Sequence, residues 1–95
     1  METMEILNGI FREVFDDATL NIKRETTADD IDDWDSLSHL NLVIAVEMKF
    51  GVKFALGELQ SLKNVGDMAD LVDKKLKDMA ELLKGFYAEE KRKNK

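Results

Sequence analysis

The residues best placed for chemistry lie in D-W-D-S-L-S-H-L-N-L, residues 33–42, where an acidic loop gives way to an apolar-periodic run. Ser36 sits there between Asp35 and Leu37, and a hydroxyl in that position has two uses. It can cap a helix, because serine readily accepts a free backbone N–H at a helix start. It can also be a point of attachment. The unpaired N–H groups and partial positive charge of a helix N-terminus favour a phosphate placed on it. Asp35 can cap equally well and so release Ser36, although its own negative charge opposes a phosphate nearby. Taken alone, Ser36 reads as the cap.

Other chemistry in the same stretch fares less well. The run D-D-I-D-D-W-D, residues 29–35, offers oxygen ligands, but an EF-hand calcium loop also requires a central glycine and a glutamate at position twelve. Counted from Asp29 or Asp30, position twelve is Leu40 or Asn41, so the template fails and a solvated acidic loop is expected, with no metal ligands assigned. His39 is the sole histidine and there is no cysteine. No set of nucleophile, base and orienting group can be assembled from these residues, which argues against an enzyme. His39 is expected at the surface or in a supporting contact with an attached group. Trp34 is expected to anchor the loop to the core.

The elements that must position these residues follow from periodicity. Leu7, Ile10, Phe11 and Val14 recur at i, i+3, i+4 and i+7, which predicts an amphipathic helix over about residues 3–17. Residues 18–35 form a long loop pinned by Leu20, Ile22, Ile31 and Trp34. A second helix runs from Ser36 to Phe50 with Leu37, Leu40, Ile44 and Met48 as its buried stripe, broadened by Val43, and Gly51 as a left-handed stop. A short helix is expected around Gly57 to Ser61. Asn64, three residues before Asp67, caps a last helix whose apolar face carries Met68, Leu71, Val72, Leu76, Met79, Leu83 and Phe86. Asp70 with Lys74 and Asp73 with Lys77 have the spacing of i,i+4 ion pairs. Met48, Met68 and Met79 read as flexible core filler. The fold expected is all-α, a small bundle of three main helices plus one short helix. Residues 1–88 make a single domain, and residues 89–95 a basic, unstructured tail.

Composition narrows the partners. The net charge of −6 disfavours nucleic acid and anionic lipid, which reward basic surfaces. The charge is graded, with 11 acidic and 3 basic residues in positions 1–40 but 2 acidic and 5 basic in positions 84–95. That basic tail, Lys84 with Lys91, Arg92, Lys93 and Lys95, suits the negative end of a helix. No apolar stretch approaches the roughly 18 residues of a membrane span, and M-E-T-M-E lacks the basic start of a signal peptide, so a cytoplasmic chain without stable membrane insertion is expected. Without cysteine, any thiol chemistry requires an imported thiol.

The second helix and its turn, D-S-L-S-H-L-N-L-V-I-A-V-E-M-K-F-G-V-K-F, together with the later L-K-N-V-G-D-M-A-D-L-V, resemble the acyl carrier proteins over roughly residues 30–75. D-S-L alone is a weak signal, whereas D-S-L with F-G and V-G-D in register is a strong one. The resemblance implies a covalent 4′-phosphopantetheine, derived from coenzyme A and joined to Ser36 by a separate phosphopantetheinyl transferase, with acyl groups held as thioesters on its terminal thiol. It also implies that Asp35 is read by that transferase and that Leu37 is a docking residue beside the arm. Ser38, Asn41, Val43 and Glu47 are implied to meet the acyl-transferring and acyl-processing enzymes in turn. A monomer carrying fatty, polyketide or more specialised acyl cargo is expected. An aminoacyl carrier and an unmodified helical adaptor of the same fold stay open as alternatives. The surface departs from the acidic pattern of many fatty-acid carriers at Ser38, His39, Asn41 and Ala45, and Lys49 reverses it, which points to a specialised carrier with weaker steering by basic partner surfaces.

Overall fold

Leu7, Ile10 and Phe11 recur at helical spacing and all three are buried, so the first helix, α1 (Thr3–Val14), lays one face on the rest of the chain. In this computed structural model, residues 2–93 are described, with side chains through residue 85. The elements after α1 are a 3-10 turn (Ala28–Asp30), α2 (Ser36–Phe50), α3 (Leu56–Gln60) and α4 (Val65–Lys93), and no strand occurs among the described residues. The expected all-α bundle of three main helices and one short one is therefore the observed fold. Its core joins Leu7, Ile10 and Phe11 to Leu42 and Val46 of α2 and to Val65, Met68, Ala69 and Val72 of α4.

Helix α1 ends three residues earlier than its periodicity suggests. Asp16 takes a positive φ of 50°, a conformation that a short polar side chain tolerates. The Asp17 carboxylate then folds onto Thr19, accepting its backbone N–H at 3.0 Å and its hydroxyl at 2.6 Å. The loop that follows is stitched down as well as anchored. Ile22 and Ile31 are buried, the Ile22 N–H donates to the Asn8 side chain at 2.8 Å, and Arg12 Nε donates to the Leu20 carbonyl at 2.6 Å. The middle of the loop holds the start of α4, where the N–H groups of Val65 and Gly66 donate to the carbonyls of Thr26 and Arg24 at 2.9 and 2.8 Å.

Helix α2 has the predicted limits, and Gly51 ends it at φ +68°. Its buried face is a correction. Leu37, Leu40, Ile44 and Met48, the expected core stripe, are exposed, whereas Leu42, Val43 and Val46 are buried. Apolar residues lie nearly all round this helix, so a second stripe, Leu42, Val43 and Val46 at i, i+1 and i+4, was present in the sequence, and that one meets α1.

In α4, Asn64 caps as expected by accepting the Asp67 N–H at 2.8 Å, while the Asp67 carboxylate takes the N–H of Lys63 at 3.0 Å rather than that of Asn64. The expected i,i+4 pairs are replaced by tertiary contacts. Asp70 pairs with Arg24 at 2.8 Å, and Asp73 accepts the Thr3 hydroxyl. Glu58 of α3 reaches Lys75 at 2.7 Å and ties the short helix to α4. At about 1.5 Å per residue, α4 is roughly 43 Å long and overruns the shorter helices. Its apolar face is therefore buried at Met68 and Val72, half-buried at Leu76, and exposed at Met79 and Leu83. Of the three expected core methionines only Met68 is buried; Met48 and Met79 lie at the surface. The side chain of Phe86 lies outside the described residues. Helix α4 runs on through residues 89–93, in the segment expected to be an unstructured tail, where no glycine or proline interrupts these strong helix formers. Residues 94 and 95 lie outside the described residues.

Candidate functional site

The mouth of α2 is built by a division of labour between adjacent residues. Asp35 is the N-cap, in extended conformation, and its carboxylate accepts the Ser38 backbone N–H at 2.8 Å. That bond is the main reason its carboxyl is held below the ordinary carboxylate range. Ser36 is the first residue of the helix proper and is exposed, and its hydroxyl makes no hydrogen bond among the described residues. An unspent hydroxyl at the positive end of a 15-residue helix can therefore be acylated or phosphorylated without dismantling the cap.

Beside Ser36 opens a cleft of about 490 Å³. Trp34, Asp35, Ser36 and His39 from the head of α2 line it together with Leu62, Lys63, Asn64 and Met68 from the segment that leads into α4. Lys63 and Asn64 had no functional role in the sequence reading, because Asn64 signals only a cap and nothing in the spacing brings this loop to α2. The capping bond occupies the Asn64 oxygen and leaves its amide N–H₂ as a donor on the cleft. The cleft thus brings a serine, an ammonium and an amide together with the apolar side chains of Trp34, Leu62 and Met68.

His39 and Trp34 are joined to each other rather than to solvent. The indole N–H donates to His39 Nδ1 at 3.0 Å, and Trp34 packs edge-on to Phe11 with ring centroids 5.3 Å apart. Trp34 is therefore the loop anchor expected of it, and His39 is its half-buried partner.

The outer face of α2 differs from the one the sequence suggests. Leu37 is 68% exposed, as a docking residue requires, and Asn41 is exposed. Val43 is only 6% exposed, so its expected role in partner contact is corrected: the residue sits on the inward face. Ser38 and Glu47 are half-buried and engaged within the chain. The Ser38 hydroxyl donates to the Asp33 carbonyl at 2.8 Å, and the Glu47 carboxylate accepts the Phe54 N–H at 2.9 Å. What the helix shows to solvent is an apolar stripe of Leu37, Leu40, Ile44 and Met48, the last 79% exposed. A contiguous exposed stripe of that kind is a candidate interaction surface.

A small helical bundle with a free serine at the head of its second helix has the form of a carrier domain. Comparison with known proteins gives the family. No protein-family model matches the chain. It is 41% identical over 71 residues to an acyl carrier protein of Acidothermus cellulolyticus, spanning 72% of this chain and 84% of that relative. It is 36% identical over 72 residues to an acyl carrier protein of Micrococcus luteus, spanning 73% and 89%. The solution NMR structure of a holo acyl carrier protein from Geobacter metallireducens superposes with a TM-score of 0.80 at 60% identity, covering 85% of this chain and 93% of that one. The chain belongs to the acyl carrier protein family, whose members carry acyl groups.

Proposed function

We propose that this chain holds acyl groups as thioesters on a 4′-phosphopantetheine arm joined to Ser36 and presents them to partner enzymes, without catalysing a reaction itself. The observation that carries the reading is the Ser36 hydroxyl: exposed, unbonded, and released from capping by Asp35. The Geobacter relative is a holo form, which supports the same attachment here. Loading would join the Ser36 oxygen to the pantetheine-side phosphorus of coenzyme A. The serine loses its proton, and 3′,5′-adenosine bisphosphate leaves as the pyrophosphate bond breaks.

When bound, the arm supplies the thiol that a cysteine-free chain lacks. The chain's own residues do the rest. Asp35 keeps α2 capped and gives the transferase a fixed carboxylate to read. Leu37, Leu40, Ile44 and Met48 offer an apolar docking strip, and the exposed Asn41 flanks it. Such a strip, one helix face wide, suits partners that must bind and release in turn. Trp34, Leu62 and Met68 line a cleft that can shelter part of an acyl chain. With Glu47 turned inward and Lys49 exposed, steering by basic enzymes rests on Asp35 and the aspartates before it, which supports a specialised carrier, one taken here to act in the cytoplasm.

The test is direct. The purified chain and its Ser36→Ala variant are incubated with coenzyme A and a phosphopantetheinyl transferase, and intact masses are measured. One added arm on the first and none on the second is expected. An unchanged mass for both would leave an unmodified helical adaptor as the better reading.

A further inference from the structure

Trp34 and His39 form a hydrogen bond that the carrier reading does not use. Indole N–H is a donor only, so its 3.0 Å bond to His39 Nδ1 requires that nitrogen to be the acceptor. The proton of the neutral imidazole is then on Nε2. The two ring planes lie 22° apart with centroids at 5.9 Å, close to the coplanar, edge-to-edge arrangement that an in-plane N–H···N bond needs. Trp34 is itself gripped by Phe11 at 5.3 Å and Phe15 at 6.0 Å, so the donor that the imidazole meets is held in place by packing. His39 lies one turn after Ser36, on the same side of α2, and both line the same cleft.

We propose that His39 is a positioning residue for the arm: held by Trp34 as the Nε2–H tautomer, it donates that N–H to the phosphate carried on Ser36. The inference rests on the Ser36 reading and adds a residue to it. A donor aimed at an anionic phosphate oxygen makes a charge-assisted bond, stronger than one between neutral groups. It fixes the first link of the arm and so sets the direction in which the remainder leaves the cleft. The alternative is that His39 only completes the packing of Trp34.

Two substitutions separate these roles. In His39→Asn the side-chain oxygen falls where Nδ1 was, keeping the acceptor for Trp34 and losing the far donor. In His39→Gln the amide nitrogen falls near Nε2, keeping the far donor and losing the acceptor. All three proteins are converted to the holo form, and loading is confirmed by intact mass, so failure to attach the arm is read separately from failure of this inference. The phosphorus NMR resonance and the Trp34 indole N–H resonance are then compared. In His39→Asn the phosphorus signal is expected to move toward that of a free serine phosphopantetheine peptide while the indole signal stays. In His39→Gln the indole signal is expected to move and the phosphorus signal to stay. Phosphorus signals identical in all three, or moving only together with the indole, would overturn the proposal. A measurement on the unmodified sequence decides the matter if the variants fold poorly. Nitrogen-15 spectra of the imidazole should show Nε2 protonated in the apo form and shifted on loading; a ring protonated on Nδ1, or unmoved by loading, contradicts it.

Discussion

Asp35 accepts the Ser38 backbone N–H at 2.8 Å and thereby caps α2, leaving the hydroxyl of the intervening Ser36 free. The cap and the attachment point are thus separate side chains, with separate consequences. Ser36→Ala is expected to change stability by no more than about 0.5 kcal/mol, as for a surface position without partners. Asp35→Ala should lower the melting temperature. Because the folded carboxyl lies below its ordinary value, its contribution is complete above the unfolded value of about 3.9 and disappears as pH falls through the folded one. Asp35→Asn, which caps without titrating, should flatten that acid limb in melts recorded as a function of pH.

The two apolar faces of α2 should respond in opposite ways. Leu42→Ala opens a fully buried site and is expected to cost about 2–5 kcal/mol. Met48→Gln, on the exposed strip, should leave stability within about 0.5 kcal/mol while slowing acyl loading by partner enzymes. Urea denaturation and steady-state loading rates measure the two effects separately. If Met48→Gln unfolds the chain as readily as Leu42→Ala does, the assignment of faces is wrong.

Gly66 and Gly9 make a second contrast. A Cβ on Gly66 would lie 3.0 Å from the Arg24 carbonyl oxygen, against backbone that the Gly66 N–H itself holds at 2.8 Å. A Cβ on Gly9 meets nothing within 4 Å. Gly9→Ala should therefore stabilise the fold by roughly 0.5–1 kcal/mol through helix propensity. Gly66→Ala should lower the melting temperature, because moving the Arg24 backbone loosens the seam that joins the loop to α4.

Residues 77–85 of α4 are exposed on every side. A chain ending after Leu83 is expected to unfold at nearly the same urea concentration as the full chain, since among the side chains described the core ends with Val72 and the half-buried Leu76. A large fall in the midpoint would mean that the overhang packs against the body.

Much of this was legible in the sequence because local rules agreed with the tertiary outcome. Gly51 had to stop a helix, Asn64 had to start one, and Ile22, Ile31 and Trp34 had nowhere apolar to go but the core. The orientation of α2 was not legible. Leu37, Leu40, Ile44 and Met48 have the same spacing as a core stripe, and only the partner helix decides between that face and the one carrying Leu42 and Val46. The inward turns of Glu47 and Ser38 depend on backbone groups at Phe54 and Asp33 whose positions exist only in the fold. The pairing of Asp70 with Arg24 rather than Lys74 likewise spans 46 residues and leaves no periodic trace. Lys63 and Asn64 reach the cleft through the same kind of distant approach.

The central claim is that Ser36 bears the arm in the cell. Protein isolated from its native cells, digested and fragmented in a mass spectrometer, should carry a phosphopantetheine on the peptide containing D-S-L, with the modification on Ser36. Recovery of that peptide entirely unmodified, or with the group on Ser38 instead, would contradict the account.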